Sequence, residues 1–182
     1  GAHPSYPDRK NFGRYDMIIS NEELSHSITS QINDLIKIAE TEQVSIDHIK
    51  PHGALYNSAA KNKDLAKIIF NVVKAINPEI RIMCLAGSPM VSVIQNMGLK
   101  PISEAFADRT YESDGSLRKR TLSKALIVNP IEAAKQAKCI FLQKKVVAYD
   151  GSDVPINAQT LCVHSDTPNA IEIAKEIRQV LA

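Results

Sequence analysis

The chain has 182 residues, 44% of them hydrophobic, enough for a single α/β domain over residues 1–182 with a substantial core and too few to demand a second. Lys plus Arg number 22 against 20 Asp plus Glu, a formal net charge of +2, which excludes the strong positive field of a nucleic-acid or membrane-surface binder. Cys84, Cys139 and Cys162 are odd in number, far apart and without a Cys-x-x-Cys pair, which argues against a disulfide framework or structural zinc, and a reducing cytoplasm fits best. No apolar run approaches the roughly 20 residues that span a bilayer, and the first residues lack the layout of a signal peptide.

Residues 1–15 carry Pro4 and Pro7 so close together that regular helix is excluded, leaving a loop with His3, Asp8 and Arg14. Ser20 with Glu23 makes a capping box, and Leu24, Ile28, Ile32, Leu35 and Ala39 recur at helical spacing, predicting a helix from Asn21 to Glu42. His26 lies off that stripe and His48 precedes the next strand, so both read as surface residues. In an extended segment Lys50 and His52 face one side while Pro51 faces the other, a polar prong at a strand end; Gly53 then permits a tight turn or a close approach, and Asn57 can return an amide toward the prong.

Helix is predicted over residues 64–76, ending near Pro78, and strand over 80–85. The Ala86-Gly87-Ser88-Pro89 run caps a helix reaching Met97. Pro101 to Ala107 reads as a strand with Glu104, Phe106 and Asp108 on one face and Arg109 next in line. Residues 110–126 are polar, with a turn at Asp114-Gly115 and the basic run Arg118-Lys119-Arg120. A loop of this length at a strand end predicts a mobile lid whose Arg109 and Arg120 approach an anion, the basic run being otherwise simply solvated. Asn129-Pro130 starts a helix to about Gln143. Short strands follow at 146–149 and 161–164, placing Cys162, His164 and Asp166 at alternating positions, and Thr167-Pro168 opens the terminal helix.

Strand and helix alternate throughout, which predicts an α/β fold with a mainly parallel sheet. The reactive residues fall where strands give way to loops, the carboxyl-end position at which such sheets carry their chemistry. Imidazoles, carboxylates, a lysine and arginines together suit acid–base hydrolysis at a carbonyl. A dinucleotide glycine fingerprint and a phosphate loop are both absent.

The run Gly1-Ala-His-Pro-Ser-Tyr-Pro-Asp8, Gly13-Arg14, Lys50-Pro-His-Gly-Ala-Leu-Tyr-Asn57, Leu85-Ala-Gly-Ser88, Glu104-Ala-Phe-Ala-Asp-Arg109, Asp114-Gly115 and Leu161-Cys-Val-His164 with Asp166 resembles the LamB/YcsF family of lactam-utilisation proteins over the whole chain and in the same order. The resemblance implies a seven-stranded, barrel-like (β/α) fold related to sugar deacetylases and the glycoside hydrolase/deacetylase superfamily. It implies ATP-dependent cleavage of 5-oxoproline to glutamate together with two partner subunits, B and C; whether the chain also forms a homo-oligomer is left open by the sequence. On this reading Lys50, His52, Asp108 and Glu104 are catalytic: His52 and Asp108 transfer protons, and Lys50 stabilises charge on the ring carbonyl or its phosphorylated form. His3, Asp8, Arg14, Asn57, Arg109, Arg120, His164 and Asp166 bind substrate or ATP.

The sequence departs from the family pattern where His164-Ser165-Asp166 replaces His-Gly-Asp and where Lys124 stands for a glycine. Two N-terminal family motifs, an acidic Asp-x-Asn-x-Asp stretch and a Gly-Phe-His-Ala-Gly-Asp stretch, have no counterpart, so the fold is expected to lack its N-terminal strands, with an open strand edge beside His3, and these 182 residues are expected to show no cleavage even with partners supplied. Two other functions compete. One is metal-dependent deacetylase-like hydrolysis, for which the chain lacks an aspartate and a histidine of the ligand set. The other is a non-catalytic binding subunit.

Overall fold

The computed structural model describes residues 1–182 and divides them into two compact units, Gly1–Cys84 with Ser88–Ile102, and Leu85–Gly87 with Ser103–Ala182. Strand β3 (Lys100–Phe106) therefore gives its first residues to one unit and its last to the other.

In the first unit α1 (Asn21–Thr41) starts where the sequence predicts. The Ser20 hydroxyl accepts from the Glu23 amide and the Glu23 carboxylate accepts from the Ser20 amide, so the capping box satisfies two donors that a helix start otherwise leaves open. Its buried Leu24, Ile28 and Ile32 pack on α3 (Lys63–Ile76), which answers with Ile69, Phe70 and Val73. Strand β1 (His48–Ile49) pairs in parallel with β2 (Arg81–Leu85), Ile49 beside Ile82, and the strand order is β1-β2-β3. Two further helices, α2 (Gly53–Lys61) and α4 (Pro89–Asn96), complete the unit. Ser88 holds the cap position of α4 as expected, although its side chain makes no bond to the helix amides; Pro89 supplies the preset φ of the first turn.

The N-terminal segment runs beside β1. Ala2 donates to the His48 carbonyl at 3.0 Å, Lys50 donates to Ala2 at 2.9 Å and His52 donates to Pro4 at 2.8 Å. Gln31 of α1 holds the same segment from another direction: its amide oxygen accepts from the Ser5 N–H and its NH2 donates to the Ser5 carbonyl, each at 3.0 Å.

Gly53 makes a close approach to backbone, not to a ligand. With φ at +59° it opens α2 against Gly13, whose carbonyl accepts from Ala54 at 2.9 Å, and a Cβ on Gly53 would lie 2.4 Å from that carbonyl oxygen. Gly53→Ala is thus expected to combine a left-handed backbone cost of about 1–2 kcal/mol with a clash that only main chain can relieve, lowering the melting temperature by about 5–15 °C. A melting temperature unchanged from the parent would show that the two segments separate freely.

In the second unit the end of β3 pairs in parallel with β6 (Thr160–Cys162), Glu104 beside Thr160 and Phe106 beside Cys162. Helices α5 (Pro130–Lys138) and α6 (Ala170–Leu181) close over this pair. Ala107, Ala133, Ala134 and Ala137 allow tight contact while Ile173 and Ile177 fill the remaining space. Asn129 caps α5 with its side-chain oxygen, as predicted, and a π-helical turn (Cys139–Gln143) extends it. An antiparallel hairpin, β4 (Lys145–Val147) with β5 (Asp153–Pro155), departs from the parallel pattern; β5 is too short and too proline-marked to be seen in sequence. The structure thus has an α/β fold with four parallel strands and this hairpin, six strands where the resemblance implies seven. Helix α6 begins at Ala170 rather than at Thr167, because the Thr167 hydroxyl is engaged elsewhere.

Residues 110–126, expected as a mobile lid, are bonded to one another along the segment. The segment is closed by bridges between Arg109 and Leu126 and between Tyr111 and Leu117, and knitted by Thr110 N–H to Ala125 at 3.1 Å and Arg118 N–H to Thr110 at 2.9 Å. Arg118, expected to be solvated, pairs with Glu112 at 2.8 Å and lies 3.6 Å over the Tyr149 ring. Lys124 stands where the family pattern has glycine and adopts φ +57°, the left-handed conformation that makes glycine the default there.

Candidate functional site

In the second unit the chain leaves β3 through Ala107 and Asp108, and β6 through Val163 and His164, so parallel pairing sets Asp108 and His164 side by side. Asp108 has 0% exposure. Its carboxylate accepts from the His164 Nδ1–H at 3.0 Å, from the His164 backbone N–H at 2.9 Å and from the Thr167 hydroxyl at 2.6 Å. Burial pushes this carboxyl up, but the His164 ring, the Thr167 hydroxyl and the His164 amide together outweigh it and hold the group below the usual carboxylate range. A carboxylate can only accept, so Nδ1 of His164 must carry a proton, and the tautomer that results when the ring is neutral has its lone pair at Nε2. Phe106 stacks on that ring at 5.4 Å and 17°, which fixes its plane.

Asp108, predicted to transfer protons, is enclosed with its oxygens committed to His164 and Thr167. His164, predicted to bind substrate or ATP, is the imidazole that this carboxylate orients.

Arg109, predicted to meet an anion, is 3% exposed and donates through Nε to Ala125 and through Nη2 to Arg118, both backbone carbonyls of the following loop. Burial first, and then the neighbouring Arg120 cation, pull its pKa down to about 10, which leaves it charged at neutral pH as the loop's organising cation. Arg120 and Asp166 form an ion pair at 3.6 Å two residues beyond His164. Glu104 is buried at 3% on β3. Three contributors were invisible in sequence. Thr167 reads as a helix start, Tyr111 accepts from the Phe106 amide at 2.8 Å from a fully buried position, and Gln136 of α5 donates to the carbonyls of Phe106, Ala107 and Arg109. None stands in a motif, and each role exists only once the strand end is in place.

In the first unit the strand-end prong is real, and His3 joins it. His3 Nδ1 lies 2.6 Å from the Lys50 carbonyl, His52 Nδ1 lies 2.9 Å from His3 Nε2, and His52 Nε2 lies 2.9 Å from the Phe12 carbonyl. The rings meet edge to face at 4.6 Å, and Phe12 meets His52 in the same way at 5.0 Å. The Lys50 ammonium lies 5.9 Å from the Tyr56 ring centre, and the Arg14 guanidinium 5.2 Å from that of Phe12. Asp8, predicted to bind a ligand, accepts from the Asn11 side chain and backbone and so caps the single 3-10 turn Arg9–Asn11. Asn57 lies on α2, one turn beyond Gly53. No three or more His, Cys, Asp or Glu side chains gather as a metal ion would require.

The chain is thus of the α/β class with parallel strands, and a histidine beyond one strand end is oriented by a buried carboxylate. The LamB/YcsF family matches residues 1–182, and the chain belongs to that family. Among its relatives, the A subunit of 5-oxoprolinase from Histophilus somni is 42% identical over 181 residues, which is 100% of this chain and 73% of that protein. The protein of the same description from Chloroflexus aurantiacus is 44% identical over 182 residues, 100% of this chain and 72% of its own length. The crystal structure of a lactam utilization protein from Thermus thermophilus superposes with a TM-score of 0.89 at 38% identity, covering 100% of this chain and 72% of that one. No helix is long and apolar enough to cross a membrane.

Proposed function

We propose that this chain supplies acid–base groups for the hydrolytic opening of 5-oxoproline to glutamate, coupled to ATP hydrolysis in the cytoplasm, as one member of an assembly with two partners, B and C. The description shared by its relatives supports the substrate and the assembly. The observation that carries the chemistry is the Asp108–His164 pair, because amide hydrolysis needs a base for water and an imidazole of defined tautomer provides one. Nε2 of His164 takes the proton of the attacking water, the ring C–N bond breaks, and the departing nitrogen gains a proton. In the first unit Lys50 and His52 keep a charge-stabilising and proton-bearing role. ATP is the co-substrate: its terminal phosphoryl group passes to the ring carbonyl oxygen with release of ADP, cleavage of the C–N bond by the first water leaves an acyl phosphate, and a second water releases inorganic phosphate from it; Lys50 and Arg14 in the first unit, and Arg120 in the second, are cations suited to the oxyanions this involves.

The test is glutamate release from 5-oxoproline by the protein assembled with its partners B and C, with ATP and each of the three proteins omitted in turn. Cleavage is expected only in the full mixture. Undiminished cleavage without this chain, or without ATP, would overturn the reading.

A further inference from the structure

The hydrogen bonds about His3 and His52 count their protons. A backbone carbonyl only accepts, so the nitrogen that meets it must carry hydrogen. His3 Nδ1 meets the Lys50 carbonyl and His52 Nε2 meets the Phe12 carbonyl, which places one proton at each outer end of the pair. Between the rings, His3 Nε2 and His52 Nδ1 are 2.9 Å apart. Two neutral imidazoles carry only one ring proton each, and both would already be spent on the carbonyls. The inner nitrogens would then face each other lone pair to lone pair at hydrogen-bond distance, which is repulsive. A third proton between them turns that contact into a charge-assisted hydrogen bond.

We propose that His3 is a positioning residue that acts through His52, fixing the two rings as a pair with three ring protons and one positive charge at neutral pH. The charge belongs to the pair, the inner proton lying on either ring. This rests on the reading given above and changes one of its parts. His3 is not a substrate ligand but the partner that shares a charge with His52, and the pair acts as one fixed cation whose four ring nitrogens are all committed to hydrogen bonds, so His52 does not take up a proton from substrate or water. The charged and titratable groups of the same unit on the neighbouring elements include Tyr6, Asp8, Arg9, Lys10, Arg14, Tyr15 and Asp16 on the N-terminal segment, Asp47, His48 and Lys50 at β1, and Tyr56 and Lys61 on α2. Asp8 is held by Asn11 and His48 by Asp47.

The measurement is nitrogen NMR of protein labelled with 15N in its five histidines, which separates protonated ring nitrogens from lone-pair nitrogens without any turnover. His3→Ala and His52→Ala assign the pair. At pH 7 the parent is expected to show three protonated nitrogens from these two rings. In His3→Ala, His52 should fall back to a neutral ring protonated at Nε2 alone. In the assembled enzyme the same variant should lose turnover about 10- to 100-fold, the scale expected when one preorganised charge is removed. Two neutral rings in the parent spectrum, or a His52 that stays doubly protonated in His3→Ala, would overturn the inference. Because the spectrum reads protons alone, its outcome is independent of whether the substrate is 5-oxoproline. Should His3→Ala unfold, the parent count decides by itself.

Discussion

His164→Ala is expected to lower the turnover of the assembled enzyme by about 100- to 10,000-fold, the range typical for loss of a positioned general base. The ring is held from two sides, by Asp108 through Nδ1 and by the face of Phe106, so its reactive nitrogen has one direction in which to work. Removing it also strips Asp108 of a donor, and some loss of stability should accompany the loss of rate. His164→Asn separates the two effects, since its amide can still donate toward the carboxylate while offering no base. Rates should be compared well below each melting temperature. Near-parent turnover in the asparagine variant would remove His164 from the chemistry and leave Asp108 as a purely structural carboxylate.

Asp108→Ala is expected to cost about 3–5 kcal/mol of stability, because it leaves a buried amide, an imidazole N–H and a hydroxyl without their common acceptor. In a chain of this size that is roughly 10–15 °C of melting temperature. A pH signature goes with it. The folded carboxyl titrates below its unfolded value, so its contribution is complete above the unfolded pKa of about 4 and is lost as pH falls through the folded value. Urea unfolding followed downward from pH 6 should show the parent weakening in this acid window and Asp108→Asn, which has no charge to lose there, weakening less. Parallel acid limbs in the two proteins would mean that the carboxylate contributes no more folded than unfolded.

Elements governed by local rules were legible in the sequence. The capping box at Ser20, the apolar stripe of α1, the asparagine cap of α5 and the strand leading to Asp108 all stand within a residue or two of their expected places, because caps and periodicity act over one or two turns. What escaped is what depends on the far side of a contact. Thr167 has the look of a helix cap and instead binds a carboxylate delivered by another strand. Arg109 and Arg118 look like a basic surface, yet the carbonyls and the Tyr149 ring that absorb them are supplied by the folded loop. The residue types at the strand ends could be read directly, but the direction of each proton could not, since a tautomer is set by the partner's lone pairs. That is why Asp108 and His164 could be singled out without the hydrogen bond that joins them being foreseen.

Gln31 does something a side chain is seldom asked to do. By meeting both the N–H and the carbonyl of Ser5 it offers the paired donor and acceptor of a peptide group, so a helix lends an extended segment one rung of a ladder without contributing a strand. The imitation depends on the amide having two unlike ends. A glutamate of the same shape would set an oxygen against an oxygen, and a lysine would answer only one half of the pair. The position therefore reads as an ordinary polar residue on a helix, while being about as replaceable as the backbone it copies.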